Sequence, residues 1–170
     1  MKNLFGPNRQ SIRWRGYDYA SAGAYFITIC THGRQRTFGE IKNGMMQLFP
    51  VGEMVQEAWK NIPQYDPYIL LDEFIVMPDH MHAVVWMGWN LNDGQGWYPA
   101  PTISLSSVIG RFKSWTTHQY RRHLERNGLS APLDTRLWQR NYHERVIRND
   151  KELNATREYI FANPLNWKAP

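Results

Sequence analysis

The sequence predicts an α+β sandwich, in which helices pack on one face of a mostly antiparallel β-sheet. Some apolar segments have the period of a strand and others the period of a helix. Along the chain they run strand, helix, strand, strand, helix, short strand and helix. The 170 residues, 42% of them hydrophobic, suit one core of ordinary size. We therefore expect a single domain over residues 1–170.

The first half of the chain contains the signals for a strand, a hairpin and a helix. The segment AYFITICT, residues 24–31, is rich in β-branched and aromatic residues and predicts a strand. Asn43-Gly44 lies between two short apolar runs, which is a strong signal for a tight β-hairpin. Apolar residues at positions 51, 54, 55, 58, 59 and 62 share one helical face, and Pro63 should end that helix.

Two adjacent strands and a loop come next. Residues 68–77 and 80–87 are apolar runs separated by Pro78-Asp79, so a tight corner should join two strands. Residues 88–101 are rich in Gly, Asn, Asp and Pro and follow neither period. We interpret this segment as a flexible loop.

The C-terminal part predicts two helices around a short strand. After Ser104, apolar residues repeat with a helical period, and Asn127-Gly128 should end this helix. A short edge strand is expected around residues 146–147. Asn149-x-x-Glu152 has the form of a capping box that opens the last helix, which Pro164 should close.

The charge distribution favours an acidic polymer as partner. The chain carries 20 Lys and Arg against 15 Asp and Glu, and residues 111–157, with 11 basic side chains, account for the positive net charge. Residues 1–16 form a basic N-terminal arm in which Trp14 offers a ring for stacking on a base. A solvated basic surface remains the alternative. The candidate nucleic-acid contacts are Arg9, Arg13, Trp14, Arg15, Arg111, Lys113, Arg121, Arg122 and Arg140.

Cysteine content and hydropathy point to the cytoplasm. The single cysteine, Cys30, can form neither an intramolecular disulfide nor a cysteine-based zinc site, and burial is its expected role. No apolar run is long enough to span a membrane, and the first residues lack a secretory signal. We expect a soluble protein with no membrane partner.

His80-Met81-His82 is the first candidate for chemistry. Side chains alternate along a strand, so both imidazoles should project from one face and Met81 from the other. Two such rings can share one metal ion. The alternative is a pair of hydrogen-bonded polar residues at a strand edge.

Tyr159 and Asn163 form a second candidate in the last helix. They are four residues apart and therefore lie on one face. A phenol there could attack phosphorus while the amide oxygen supplies a metal ligand, provided that the helix crosses the histidine-bearing strand. Ordinary packing is the alternative, and Pro164 disfavours helical geometry at Asn163.

Four segments resemble the single-tyrosine HUH transposases, and most closely the REP-associated tyrosine transposases. They occur in the family's order, and the likeness runs over residues 13–167. The segments are GYDYASAGAYFITICTHGRQRTFGEI (residues 16–41), MPDHMHAVV (77–85), WQRNYHERVIRN (138–149) and EYIFANP (158–164).

The resemblance implies a ferredoxin-like core and a catalytic site. His80 and His82 match the histidine pair that holds a divalent metal, Mg²⁺ or Mn²⁺. Tyr159 matches the tyrosine that forms a covalent 5′-phosphotyrosyl link, and Asn163 matches a position that contributes to the metal site in related enzymes. Imidazole ligands by themselves would favour zinc, but an oxygen donor and substrate phosphate oxygens shift the preference toward hard ions.

Three functional hypotheses follow from these residues. The first is a nuclease and strand transferase for single-stranded or hairpin DNA, which we expect to be a monomer. The second is a domesticated protein that binds DNA hairpins without cutting them. The third, an RNA-processing metallophosphoesterase, has no use for a tyrosine nucleophile. Tyr142 lies outside the catalytic motif, and His118, His123 and His143 are expected to face phosphate or solvent.

Overall fold

The computed structural model describes residues 22–90, 96–97 and 103–167. A single 3₁₀ turn, His32–Arg34, follows the first strand. In chain order the elements are β1 (Gly23–Cys30), β2 (Gly39–Lys42), β3 (Met45–Leu48), α1 (Pro50–Lys60), α2 (Ile62–Tyr65), β4 (Ile69–Met77), β5 (His80–Met87), β6 (Trp89–Asn90), β7 (Gly96–Trp97), α3 (Leu105–Arg126), β8 (His143–Ile147) and α4 (Asp150–Ala162).

The main sheet confirms the predicted ferredoxin-like α+β architecture. Its four strands lie in the order β4-β5-β1-β8, and every neighbouring pair is antiparallel. Helix α1 connects β1 to β4, and α3 connects β5 to β8, which gives the strand-helix-strand repeat of this fold. The strand with the two histidines is therefore central rather than an edge.

The helices lie on both faces of the sheet. Met81, Ala83 and Val85 of β5 belong to the core that also contains the apolar residues of α1 and α3. Val84 instead packs with Leu153 and the other apolar residues of α4. The one-face prediction is therefore right for α1 and α3 and wrong for α4. Because β5 is almost continuously apolar, both of its faces need cover.

Local sequence signals set most of the element boundaries. Asn43 and Gly44 have φ values of 52° and 71°, as the two central residues of a type I′ hairpin turn require. Pro63 does not end α1. That helix stops at Lys60, and Pro63 lies in the first turn of α2, where a missing N–H is tolerated.

Side-chain oxygens cap the N-termini of the last two long helices, and the sequence predicted the second of these caps, Asn149. The Ser107 N–H donates to Ser104 Oγ at the start of α3, and the Glu152 N–H donates to Asn149 Oδ1 at 2.9 Å. The Glu152 carboxylate accepts from the Arg148 N–H at 3.0 Å rather than from the cap residue itself. Helix α4 therefore begins at a fixed position beside the end of β8.

Residues 88–101 are not wholly irregular. Strands β6 and β7 pair antiparallel there, so the loop prediction is wrong for those four residues. The remainder of that segment lies mostly outside the described residues. No helix in the described part of the chain is long and apolar enough to cross a membrane.

Candidate metal and nucleophile site

Strand β5 presents both histidines on the face covered by α4. His82 is paired with Thr28 of β1, and His80 is paired with Cys30. Met81 is fully buried on the opposite face, as the alternation of a strand requires. The predicted common direction of the two imidazoles is confirmed.

The two imidazole rings converge through their Nε2 atoms, which are 3.1 Å apart. His80 Nδ1 lies 2.6 Å from Asp79 Oδ1, and His82 Nδ1 lies 2.8 Å from Thr28 Oγ1. The Asp79 carboxylate accepts the Nδ1–H of His80, so Nε2 of the neutral ring carries a lone pair. Asp79 and Thr28, which the sequence did not single out, therefore orient the two rings.

Both histidines are buried, each only 6% exposed. Burial, with contributions from nearby His80 and Arg34, lowers the pKa of His82 to about 3. Burial also lowers the pKa of His80, against the hydrogen bond to Asp79. Both rings are thus neutral at pH 7, which is the state that ligates a metal ion. The placement of this pair at a strand edge is wrong, because β5 is a central strand and α4 packs on this face of the sheet. Both rings are nevertheless hydrogen-bonded, as that alternative expected.

Tyr159 lies beside the histidine pair. Its hydroxyl is 3.3 Å from His82 Nε2, and the two rings are 5.2 Å apart. Phe26 of β1 contacts both rings, stacked on His82 and edge-on to Tyr159. The Tyr159 side chain is nevertheless 52% exposed, so the hydroxyl is open to a large substrate. Helix α4 crosses the histidine-bearing strand, as the nucleophile hypothesis requires.

Asn163 and Trp167 follow at the end of α4. Asn163 is half-buried and has helical φ and ψ values of −57° and −43°, despite the proline that follows it. Within the described residues, no hydrogen bond joins its side chain to either histidine. Trp167 was not predicted as a site residue, yet its ring centroid is 5.6 Å from that of His80. Trp167 thus covers part of the site.

The histidine pair has the geometry of two ligands of one ion. Two nitrogen atoms, each about 2.1 Å from a shared ion, lie about 3.0–3.4 Å apart at octahedral or tetrahedral angles. The observed 3.1 Å fits this range. The described residues contain no group of three or more His, Cys, Asp or Glu side chains suited to a metal. Among the described residues, a further ligand would be an amide oxygen, with phosphate or water oxygens completing the set.

Comparison with known proteins finds relatives over most of the chain. No family model matches the chain. An uncharacterized protein of Haemophilus influenzae is 35% identical over 171 residues, covering 95% of this chain and 91% of the relative. The REP-associated tyrosine transposase of Escherichia coli is 24% identical over 148 residues, covering 86% and 69%.

A solved structure of a REP-associated tyrosine transposase bound to a REP hairpin has the same fold. It superposes with a TM-score of 0.60 at 22% identity and covers 91% of this chain and 73% of that one. The chain has homologues named REP-associated tyrosine transposase. The segments around His80, His82 and Tyr159 resemble REP-associated tyrosine transposases, and the similarity to proteins of that name extends over most of the chain.

The cations predicted to contact DNA differ in their surroundings. Arg111 is paired with Asp66, and Arg121 donates to the carbonyls of Leu133 and Thr135. Arg122 and Arg140 are exposed. Among the predicted cations that the structure describes, the last two are therefore the most open to a phosphate.

Lys113 has a mainly structural environment. Its ammonium donates to the carbonyls of Gln139, Arg140 and Asn141 at 2.6, 3.1 and 3.2 Å. Burial lowers its pKa to about 8. Lys113 thus ties α3 to the segment before β8.

The predicted contacts in the N-terminal arm, Arg9, Arg13, Trp14 and Arg15, lie outside the described residues.

Proposed function

We propose that the protein is a metal-dependent endonuclease and strand transferase for single-stranded DNA, acting through a 5′-phosphotyrosine on Tyr159. One observation carries the proposal: the Tyr159 hydroxyl is 3.3 Å from a histidine nitrogen that is itself 3.1 Å from the second histidine nitrogen. A scissile phosphate at this point would touch the nucleophile and the metal ligands together.

The proposed reaction conserves the energy of the broken bond. The Tyr159 oxygen loses its proton and bonds to phosphorus, while the bond from phosphorus to O3′ breaks and the 3′ oxygen leaves as a hydroxyl. A second 3′-hydroxyl then attacks the phosphotyrosine, which restores a phosphodiester and returns the proton to Tyr159. No ATP is needed, because one ester replaces another at each step.

His80 and His82 would hold the metal ion, Mg²⁺ or Mn²⁺, with the Asn163 side-chain oxygen as a third ligand. When bound, this ion would offset charge on the phosphate oxygens. Asp79 and Thr28 orient the two rings so that their Nε2 atoms converge, and these two atoms would hold the ion. A protonated phenol is a poor nucleophile, so the charge of such an ion would help Tyr159 to attack phosphorus.

The substrate is proposed to be hairpin-forming repetitive DNA, with transposition as the context. Support comes from the relative of the same fold, which was solved bound to a REP hairpin. We further propose that the protein acts as a monomer. Tyr159 lies beside His82 of its own chain, so no helix from a second copy is needed to complete the site.

Capture of the covalent intermediate tests the proposed function. The protein would be incubated with Mn²⁺ and single-stranded genomic DNA, denatured, digested, and examined by mass spectrometry for a nucleotide on Tyr159. Sequencing the attached DNA would identify the cleavage site. Tight binding of hairpin DNA without an adduct would favour the non-cleaving alternative. Cleavage of RNA without an adduct would favour a metallophosphoesterase.

A further inference from the structure

A groove of about 330 Å³ opens beside Tyr159, on the side of the edge strand β8. This flanking groove is lined by Phe26, Thr28, His143, Glu144, Arg145 and Tyr159. Its volume falls at the lower end of the range for small-ligand sites. The groove is continuous with the proposed catalytic centre, because Tyr159 belongs to both and Thr28 holds His82.

The side chains of the flanking groove suit a nucleotide. Arg145 and His143 are exposed and project from β8 on the same face as Phe26 and Thr28, which are their partners in β1. The Arg145 guanidinium lies over the Phe26 ring, 5.6 Å from its centroid, and donates to Thr156 Oγ1 at 3.0 Å. A guanidinium held in this way can pair with phosphate or stack on a base.

The one acidic residue of the groove is directed away from this surface. Glu144 alternates with His143 and Arg145 along β8, and both of its carboxylate oxygens are shielded from solvent. The exposed charge of the groove is therefore that of Arg145. This favours an anionic ligand over a cationic one.

We propose that the flanking groove binds the nucleotide that stays attached to Tyr159 through its 5′-phosphate. The inference rests on the proposed function. In an in-line displacement the leaving O3′ departs on the side opposite to the attacking oxygen. The retained nucleotide is bonded through its 5′-phosphate to the Tyr159 oxygen itself, so a groove that borders the Tyr159 ring is within its reach and lies away from the departing O3′.

Binding of a short DNA probe tests the groove without any cleavage. The probe is 5′-phosphorylated trithymidylate, followed by NMR of the ¹⁵N-labelled protein. We expect shifts centred on His143 and Arg145. Arg145→Gln and His143→Ala should each weaken binding at least about fivefold, whereas Arg126→Gln, an exposed arginine on α3, should not change it. Shifts centred elsewhere, or groove variants that bind like wild type, would overturn the inference.

A cleavage experiment separates this inference from the proposed function. An abasic site immediately 3′ of the cleaved bond should slow single-turnover cleavage, and His143→Ala should reduce the sensitivity to that change. Cleavage that is indifferent to this base and to both groove variants contradicts the groove alone. A protein that binds the trinucleotide in the groove but cleaves no DNA contradicts the proposed function alone.

Discussion

Arg157 of α4 and Asp72 of β4 form a bidentate ion pair between the helix and the sheet. Arg157 Nε lies 2.7 Å from one carboxylate oxygen and its terminal nitrogen 2.5 Å from the other. Trp86 of β5 donates to the same carboxylate at 2.9 Å. Asp72 lies where the register of β4 and β5 shifts, between Leu71 and Phe74. The pair joins α4 to the sheet two residues before Tyr159.

Asp72→Asn should lower the free energy of unfolding by about 1 kcal/mol. Buried hydrogen bonds to charged groups stabilise the folded state by more than this. Arg157 is 42% exposed, however, so water screens its attraction to Asp72. Urea unfolding followed by circular dichroism measures the change. Glu40→Gln is the matched control, since the Lys42–Glu40 pair is exposed on both sides and its loss should cost less than about 0.5 kcal/mol. An equal decrease in the free energy of unfolding in the two variants would show that the Asp72–Arg157 pair stabilises the fold no more than an exposed ion pair does.

The contribution of Asp72 should disappear in acid. Burial alone would raise the pKa of Asp72, but hydrogen bonds from Arg157, Trp86 and the Glu73 amide lower it overall. A lowered pKa in the folded state gives stability that is present above the ordinary carboxyl pKa of about 4 and is lost as the pH falls through the folded value. The stability difference between wild type and Asp72→Asn should therefore shrink below about pH 4. A constant difference from pH 7 to pH 2 would refute this.

Replacing either histidine should abolish metal-dependent nicking and leave DNA affinity nearly unchanged. His80→Ala and His82→Ala each remove one proposed ligand. Because both rings are buried, each change should also cost about 1–3 kcal/mol of stability. Glutamine variants at the same positions retain more of the volume and separate the two effects. His118→Ala, at an exposed position of α3, is the control. Cleavage that persists in EDTA, or in the double variant, would exclude the metal site.

The sequence predicted the residues of the candidate site better than the side chains that position those residues. The common face of His80 and His82 follows from strand alternation, and the position of Tyr159 follows from helix period and family resemblance. The role of Thr28 depends on the register of β1 and β5, and that of Arg157 on pairing across 85 residues of chain. The local period of apolar residues predicts neither the register of two strands nor an ion pair between distant parts of the chain. The role of Asp79 was not predicted either, although its position next to His80 in the sequence was a signal that could have identified it.

The salt dependence of DNA binding should separate exposed from internally bonded cations. For single-stranded DNA, each neutralised phosphate changes the log-log slope of affinity against salt by about −0.7. Replacing both Arg122 and Arg140 with Gln should therefore make the slope shallower by about 1.4. Lys113→Met should leave the slope unchanged and lower stability, because its ammonium is bound by three carbonyls. Fluorescence anisotropy at several salt concentrations gives the slopes. A slope that becomes shallower in Lys113→Met and stays unchanged in the Arg122 and Arg140 double variant would show that Lys113, and not these two arginines, contacts DNA phosphate.

Tyr159→Phe should separate a nucleophile from a packing residue. The variant keeps the ring that packs edge-on to Phe26 and loses only the hydroxyl 3.3 Å from His82 Nε2. If that hydroxyl attacks phosphorus, the variant binds DNA and metal but forms no adduct, and cleavage and strand joining are lost together because both pass through one phosphotyrosine. Tyr142→Phe is the matched control, since Tyr142 packs against the core on the opposite face of the sheet and should retain adduct formation. Normal cleavage by Tyr159→Phe, or an adduct mapped to Tyr142, would move the nucleophile away from α4.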